Sequence, residues 1–147
     1  TYYLFEKNFI NFLLILIICI STDVGGYIFG NLLGGPKLTI ISPNKTYSGM
    51  LGGFLLSIIF GYLFILNFDH SFIKNQNNDL YNLLLIIIII IISAVSQIGD
   101  LIISFYKRKS KVKNTGNIFP GHGGLLDRID GMIFAFPFVY ILDLIIL

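Results

Sequence analysis

The sequence predicts an all-α, polytopic integral membrane protein with about four transmembrane helices. Hydrophobic residues make up 55% of the chain and charged residues only 12%, and the mean hydropathy is +0.83. Such a composition is typical of membrane proteins. Crossing the hydrocarbon core takes about 20 largely apolar residues, and four segments approach or reach that length: 8–22, 47–66, 83–103 and 129–147.

Each segment is predicted to be helical, and residues 1–147 are treated as one membrane-embedded domain. The first segment lacks the basic start and the small-residue cleavage site of a secretory signal, so it is interpreted as a span. A chain that opens directly on a span suggests a start in mid-protein, with further spans upstream. Isoleucines dominate residues 83–93 and would favour a strand in water. In lipid a lone strand leaves its backbone unsatisfied, so a helix is predicted.

The polar connections differ in charge. Four spans place connections 23–46 and 104–128 on one side of the membrane and 67–82 on the other. The first two connections carry all of the ten basic residues except Lys7 and Lys74. The positive-inside rule therefore places them in the cytoplasm, and that rule alone would explain the basic run YKRKSKVK. The net charge of +2 is too small to argue for a nucleic-acid partner.

Acidic residues stand out at the predicted span ends. A carboxylate in a span costs several kcal/mol unless it is paired, hydrated or bound to metal. Asp23 is expected to end the first span, Asp100 lies near the end of the third, and Asp127 and Asp130 begin the fourth. The alternation of spans puts these acids at one face of the membrane.

The acids indicate a metal site, although helix capping is an alternative. Asp127 and Asp130 are three residues apart, so they share a helix face, but acids near a helix start also stabilise its free N–H groups and dipole. Asp100 lies in a different span and has no base near it in its own apolar segment, which favours a metal site over capping. Oxygen ligands suit Mg²⁺. His70 and His122 are the only histidines, so the sequence has no set of Cys and His residues at the spacing of a zinc site.

Two glycine-rich or polar segments could bind phosphate. PGHGG, which contains Gly123 and Gly124, precedes a predicted helix whose start is an anion site, although glycines also serve ordinary turns. With Lys107 and Arg108 it predicts a phosphate-and-magnesium site at the membrane surface. SPNKT, at residues 42–46, offers hydroxyls and a compact cation for a nucleotide, but it is not a Walker loop.

Residues 104–130, SFYKRKSKVKNTGNIFPGHGGLLDRID, resemble the signature of the phosphatidate cytidylyltransferases, also called CDP-diglyceride synthetases. The segments DVGGYIFG and SPNKTYSGMLGG are similar to upstream segments of that family, so the resemblance covers nearly the whole chain. Asn114 stands where the family has Asp, and the chain resembles only the C-terminal catalytic half. The signature positions are matched by Ser104, Lys107, Arg108, Lys113, His122, Gly123, Gly124, Asp127, Arg128 and Asp130.

The resemblance implies an enzyme that converts CTP and phosphatidate into CDP-diacylglycerol and pyrophosphate in a bacterial inner membrane, with its site facing the cytoplasm. It also implies a homodimer. Asp100 and Asp127 are then expected to bind Mg²⁺, with Asp130 as a ligand or an orienting group. A second, monovalent cation is a further candidate.

The remaining polar residues receive roles on the same basis. Four cations are expected to neutralise phosphates: Lys107, Arg108, Lys113 and Arg128. His122 either contacts a phosphate or supports the turn. Asp23 either orients a base or joins the ion site. The candidate substrate-binding residues are Asp23, Ser42, Lys45, Thr46, Gly123 and Gly124.

Two other functions fit the sequence less well. A CDP-alcohol phosphatidyltransferase is rejected because DGMIFAFP, from Asp130, lacks the arginine and the later acids of that signature. In a transporter or ion-channel half, Asp100 and Asp127 would line a conduction path. That alternative explains the acids but gives the basic glycine loop no purpose.

Overall fold

The computed structural model contains four helices: α1 (Tyr2–Leu33), α2 (Tyr47–Asn67), α3 (Asp79–Lys109) and α4 (Leu126–Ile146). The structure describes residues 2–39, 42, 45–68, 79–112 and 126–146. Within these ranges there is no strand, only an isolated bridge between Lys37 and Thr46. The predicted all-α fold is confirmed.

Three helices contain apolar segments long enough to cross a membrane: Phe9–Leu33, Tyr47–Asn67 and Asn82–Lys109. Large apolar side chains such as Leu51, Leu55 and Ile59 are exposed along α2, as lipid contact requires. The chain is therefore an integral membrane protein. In α4 the apolar segment found among the described residues, Ile129–Leu142, is shorter, so the fourth crossing stays a prediction.

The first helix extends beyond the predicted span 8–22. It continues past Asp23 to Leu33, so Asp23 lies within the helix, and the end of the membrane span at Asp23 stays a prediction. Asp23 stays within the helix because it lines a cavity that also holds the cationic Lys45. The helix ends before Gly34 and Gly35, whose φ angles of +58° and +107° favour glycine and stop the helix.

Helices α1 and α2 pack backbone to backbone. A Cβ on Gly25 would overlap the Gly52 carbonyl and lie 2.9 Å from Gly53 Cα, and one on Gly49 would lie 2.7 Å from the Gly26 carbonyl oxygen. Small residues allow this approach between membrane helices, where dispersion contacts replace the hydrophobic drive. The close contact fixes the first turns of α2 beside the second half of α1.

Helices α3 and α4 make a second close contact. A Cβ on Gly131 would overlap the Ser96 hydroxyl and lie 2.9 Å from the Ser96 carbonyl oxygen. Gly131 follows Asp130, and Ser96 is one helical turn before Asp100. This contact therefore brings the two acids to the same place, next to a core that includes Ile18, Ile89 and Ala135.

The glycine contact between α1 and α2 can be tested with neighbouring residues of one helix. Gly25→Ala should lower the free energy of unfolding by about 1–3 kcal/mol, because backbone atoms must move to admit the methyl group. Gly26→Ala is the matched control, since its Cβ would meet only an ordinary contact of 3.7 Å. Both gain the same helix propensity. Thermal unfolding in detergent micelles measures the difference, and equal midpoints would contradict the packing.

Candidate active site

Residues 36–38 pair antiparallel with residues 45–47, and this hairpin places Lys45 just before the start of α2. The Leu38 amide donates to the Lys45 carbonyl at 2.7 Å, and the Tyr47 amide donates to the Pro36 carbonyl at 3.2 Å. Thr46 is the N-cap of α2, and its Oγ1 accepts from the Gly49 amide at 3.1 Å. Such caps stabilise a helix start by about 1 kcal/mol. The backbone of Lys45 is thereby fixed on both sides.

Two lysines form ion pairs with two acids near the start of α2. Lys45 Nζ forms an ion pair with Asp100 Oδ2, and the Ser104 hydroxyl donates to Asp100 Oδ1 at 3.3 Å. Lys107 Nζ lies 3.5 Å from Asp130 Oδ2. The Gly131 amide donates to Asp130 Oδ1 at 3.0 Å. Each acid therefore meets a cation from another part of the chain.

The acids are also close to one another. The carboxyl groups of Asp100 and Asp130 are within hydrogen-bonding reach, and Asp23 interacts electrostatically with both Asp100 and Lys45. Carboxylates at such short range repel each other when both are ionised. A shared proton, a lysine or a bound cation between them would relieve this repulsion.

These side chains surround a cavity of about 590 Å³ that is lined by all four helices and the hairpin. Asp23, Lys45, Asp100 and Asp130 contribute charge to its wall, and Thr22 and Gln97 contribute neutral polar groups. Ligand pockets commonly measure about 300–1,000 Å³. The cavity is thus large enough for a nucleotide-sized anion.

The structure brings five of the predicted site residues together around this cavity: Asp23, Lys45, Thr46, Asp100 and Asp130. The ion pairs also place Lys45, the end of α3 and the start of α4 at one end of the bundle, as the predicted topology requires.

Other predicted residues lie elsewhere. The Ser42 amide donates to Thr39 Oγ1 at 3.2 Å in the hairpin, and Ser42 does not line the cavity. Lys107 reaches the site through Asp130. Arg108 is exposed at the end of α3.

Several predictions fall outside the described residues, namely those for Lys113, His122, Gly123 and Gly124. Asp127 and Arg128 have a helical backbone in α4, but their side chains are not described. Among the described side chains, no three His, Cys, Asp or Glu residues form a metal cluster. The metal trio with Asp127 therefore stays a prediction, while Asp100 and Asp130 provide two oxygen donors of the kind that Mg²⁺ prefers.

Sequence reasoning missed two kinds of feature. Asp100 has no base near it in its own span, and its pairing with Lys45, which the hairpin brings from a distant part of the sequence, was not predicted. Thr22 and Gln97 were also missed as cavity residues. Gln97 is three residues before Asp100, so the shared helix face could have indicated it.

The family of the chain follows from its similarity to known proteins. A sequence model described as "Cytidylyltransferase family" matches residues 3–146. The chain belongs to the cytidylyltransferase family. The resemblance recognised in its motifs is thereby confirmed.

Curated relatives of this cytidylyltransferase-family chain include the phosphatidate cytidylyltransferase of Staphylococcus haemolyticus (strain JCSC1435). It is 43% identical over 122 residues, which cover 82% of this chain and 44% of that protein. The phosphatidate cytidylyltransferase of Bacillus subtilis (strain 168) is 42% identical over 123 residues, 83% of this chain and 43% of that protein. The chain thus spans less than half the length of these relatives.

A solved structure shares the fold of this cytidylyltransferase-family chain. It is described as an intramembrane enzyme for archaeal membrane lipids biosynthesis, and it matches with a TM-score of 0.54 at 22% identity. The match covers 83% of this chain and 73% of the other. The overall arrangement of helices therefore also occurs in that protein.

The Lys107–Asp130 ion pair predicts that a second substitution can restore the stability that a first one removes. Lys107→Met should destabilise the protein by about 3 kcal/mol, because it leaves a largely buried carboxylate facing Asp100 with one cation fewer. The side chains of Lys107 and Asp130 are only 14% and 10% exposed. Adding Asp130→Asn should restore most of the loss, as measured by thermal unfolding in detergent.

The exposed Lys109→Met serves as the control and should leave the unfolding midpoint unchanged. If the double variant were as unstable as Lys107→Met alone, the uncompensated acid would not be the cause.

Proposed function

We propose that the complete protein transfers a cytidylyl group from CTP to phosphatidate, giving CDP-diacylglycerol and pyrophosphate. The observation that carries this proposal is the cavity in which Asp100 and Asp130 lie side by side with Lys45 and Lys107 as their partners. The names of the curated relatives support the same activity.

The reaction needs no protein nucleophile. An oxygen of the phosphatidate phosphate attacks the α-phosphorus of CTP, a new P–O bond forms, and the bond to the bridging oxygen of the β-phosphate breaks. Both reactants are anions, so their repulsion must be suppressed while attack is aligned with the leaving pyrophosphate. Lys45 lines the cavity and is placed to contact phosphate oxygens, an interaction that gains strength where water is excluded.

Mg²⁺ is the proposed cofactor, with Asp100, Asp127 and Asp130 as the residues that would hold it. The fit is chemical, because two adjacent carboxyl groups provide oxygen donors of the kind that Mg²⁺ prefers. When bound, the ion would neutralise phosphate charge. A monovalent cation is a second candidate.

The proposed location is a bacterial inner membrane with the cavity open to the cytoplasm. Lys37, Lys109 and Lys111 are exposed at the cavity end of the bundle, which fits the positive-inside rule. CTP would arrive from the cytosol and phosphatidate from the bilayer. A homodimer remains part of the proposal. Nothing in the comparisons supports the transporter alternative.

Asp100→Asn should lower kcat for CDP-diacylglycerol formation by roughly 10²–10³, the loss typical of a removed electrostatic group in an active site. The measurement is pyrophosphate release from CTP by the complete protein in detergent with phosphatidate and Mg²⁺. Asp79→Asn is the matched control, since Asp79 is exposed in the first turn of the same helix, far from the cavity.

Full activity in Asp100→Asn, or an equal loss in both variants, would contradict the site. Ion flux through liposomes without nucleotide would favour the transporter instead.

A further inference from the structure

The two lysine–carboxylate pairs of the site differ in how easily they can separate. Lys45 and Asp100 both line the cavity, and their side chains are 26% and 25% exposed. Asp130 also lines the cavity, but its partner Lys107 does not, and this pair is about half as exposed. A ligand that enters the cavity therefore meets the Lys45–Asp100 pair first.

Lys45 can exchange partners without a backbone rearrangement. The hairpin hydrogen bonds hold its main chain, while the ammonium sits on a flexible four-carbon stem. In the proposed function, Asp100 binds a divalent cation and Lys45 binds a phosphate of the nucleotide. Lys45 cannot do this while its ammonium is held against Asp100.

We propose that Lys45 is an exchangeable counter-ion, which neutralises Asp100 until a divalent cation takes its place and thereby frees the ammonium for the nucleotide phosphates. This inference rests on the proposed function. Lys107 stays with Asp130 throughout. Binding of the divalent cation and of the nucleotide is then coupled through one side chain, and such coupling is reciprocal.

The exchange makes opposite predictions for the two ligands. Without Lys45, a divalent cation no longer competes with an ammonium at Asp100, so it should bind about tenfold more tightly, the smaller end of the effect of one neighbouring charge. Nucleotide should bind about tenfold more weakly, because it loses a phosphate contact. A residue with a merely structural role would weaken both.

The first experiment measures Mn²⁺ binding to the complete protein in detergent, without nucleotide, by the electron paramagnetic resonance signal of free Mn²⁺. Lys45→Met and Lys45→Gln should both bind Mn²⁺ about tenfold more tightly, whereas Lys45→Arg should resemble the unsubstituted protein. Lys37→Met is the matched control, because Lys37 is exposed on the same hairpin and does not line the cavity. Unchanged or weaker Mn²⁺ binding in both neutral variants would overturn the proposal.

A second experiment uses the unsubstituted protein, so folding of a variant is not in question. Reaction of Lys45 with an amine-reactive reagent, followed by mass spectrometry, should increase several-fold when Mn²⁺ is added without nucleotide, while that of Lys107 stays constant. Equal labelling of Lys45 with and without Mn²⁺ would overturn the exchange. Neither experiment includes CTP or lipid, so failure of the proposed reaction would appear separately, as an absence of CDP-diacylglycerol in the unsubstituted protein.

Discussion

The rest of the structure depends on neutralising two carboxyl groups that lie side by side inside an apolar helix bundle. Asp100 and Asp130 are close enough to share a hydrogen bond, and a charge without a partner is expensive in such surroundings. Lys45 from the hairpin and Lys107 from α3 form ion pairs with these two acids. Charge balance between acids and lysines therefore holds together three separate segments at one end of the bundle.

Close backbone packing makes this charge balance possible. Gly131 lies against Ser96, which brings the start of α4 to α3, and Gly25 lies against Gly52, which brings α2 to α1. Side chains at these positions would push the helices apart. The hairpin that begins after α1 could then no longer carry Lys45 to the acid on α3. Small residues, a local packing feature, thus determine the geometry of the charged site.

Much of the fold follows from the sequence, because long apolar segments in lipid must form helices. The end of α1 at Leu33 did not follow, since hydropathy does not show where a helix ends beyond its apolar segment. The gathering of acids at one end was predictable from span alternation. The pairing of Lys45 with Asp100 was not, because it depends on the hairpin. Thr46, predicted to bind nucleotide, also caps α2, a role that requires the exact helix start.

Labelled CTP provides a direct test of the proposed reaction, in which this site transfers the α-phosphorus of the nucleotide to a lipid phosphate. The complete protein would be incubated with phosphatidate and with CTP carrying ³²P at either the α or the γ position, and the products separated into chloroform and water. Label from the α position should enter the chloroform phase, while label from the γ position should stay in water as pyrophosphate. Label from the γ position in the lipid, or no lipid label from either position, would contradict the proposed reaction.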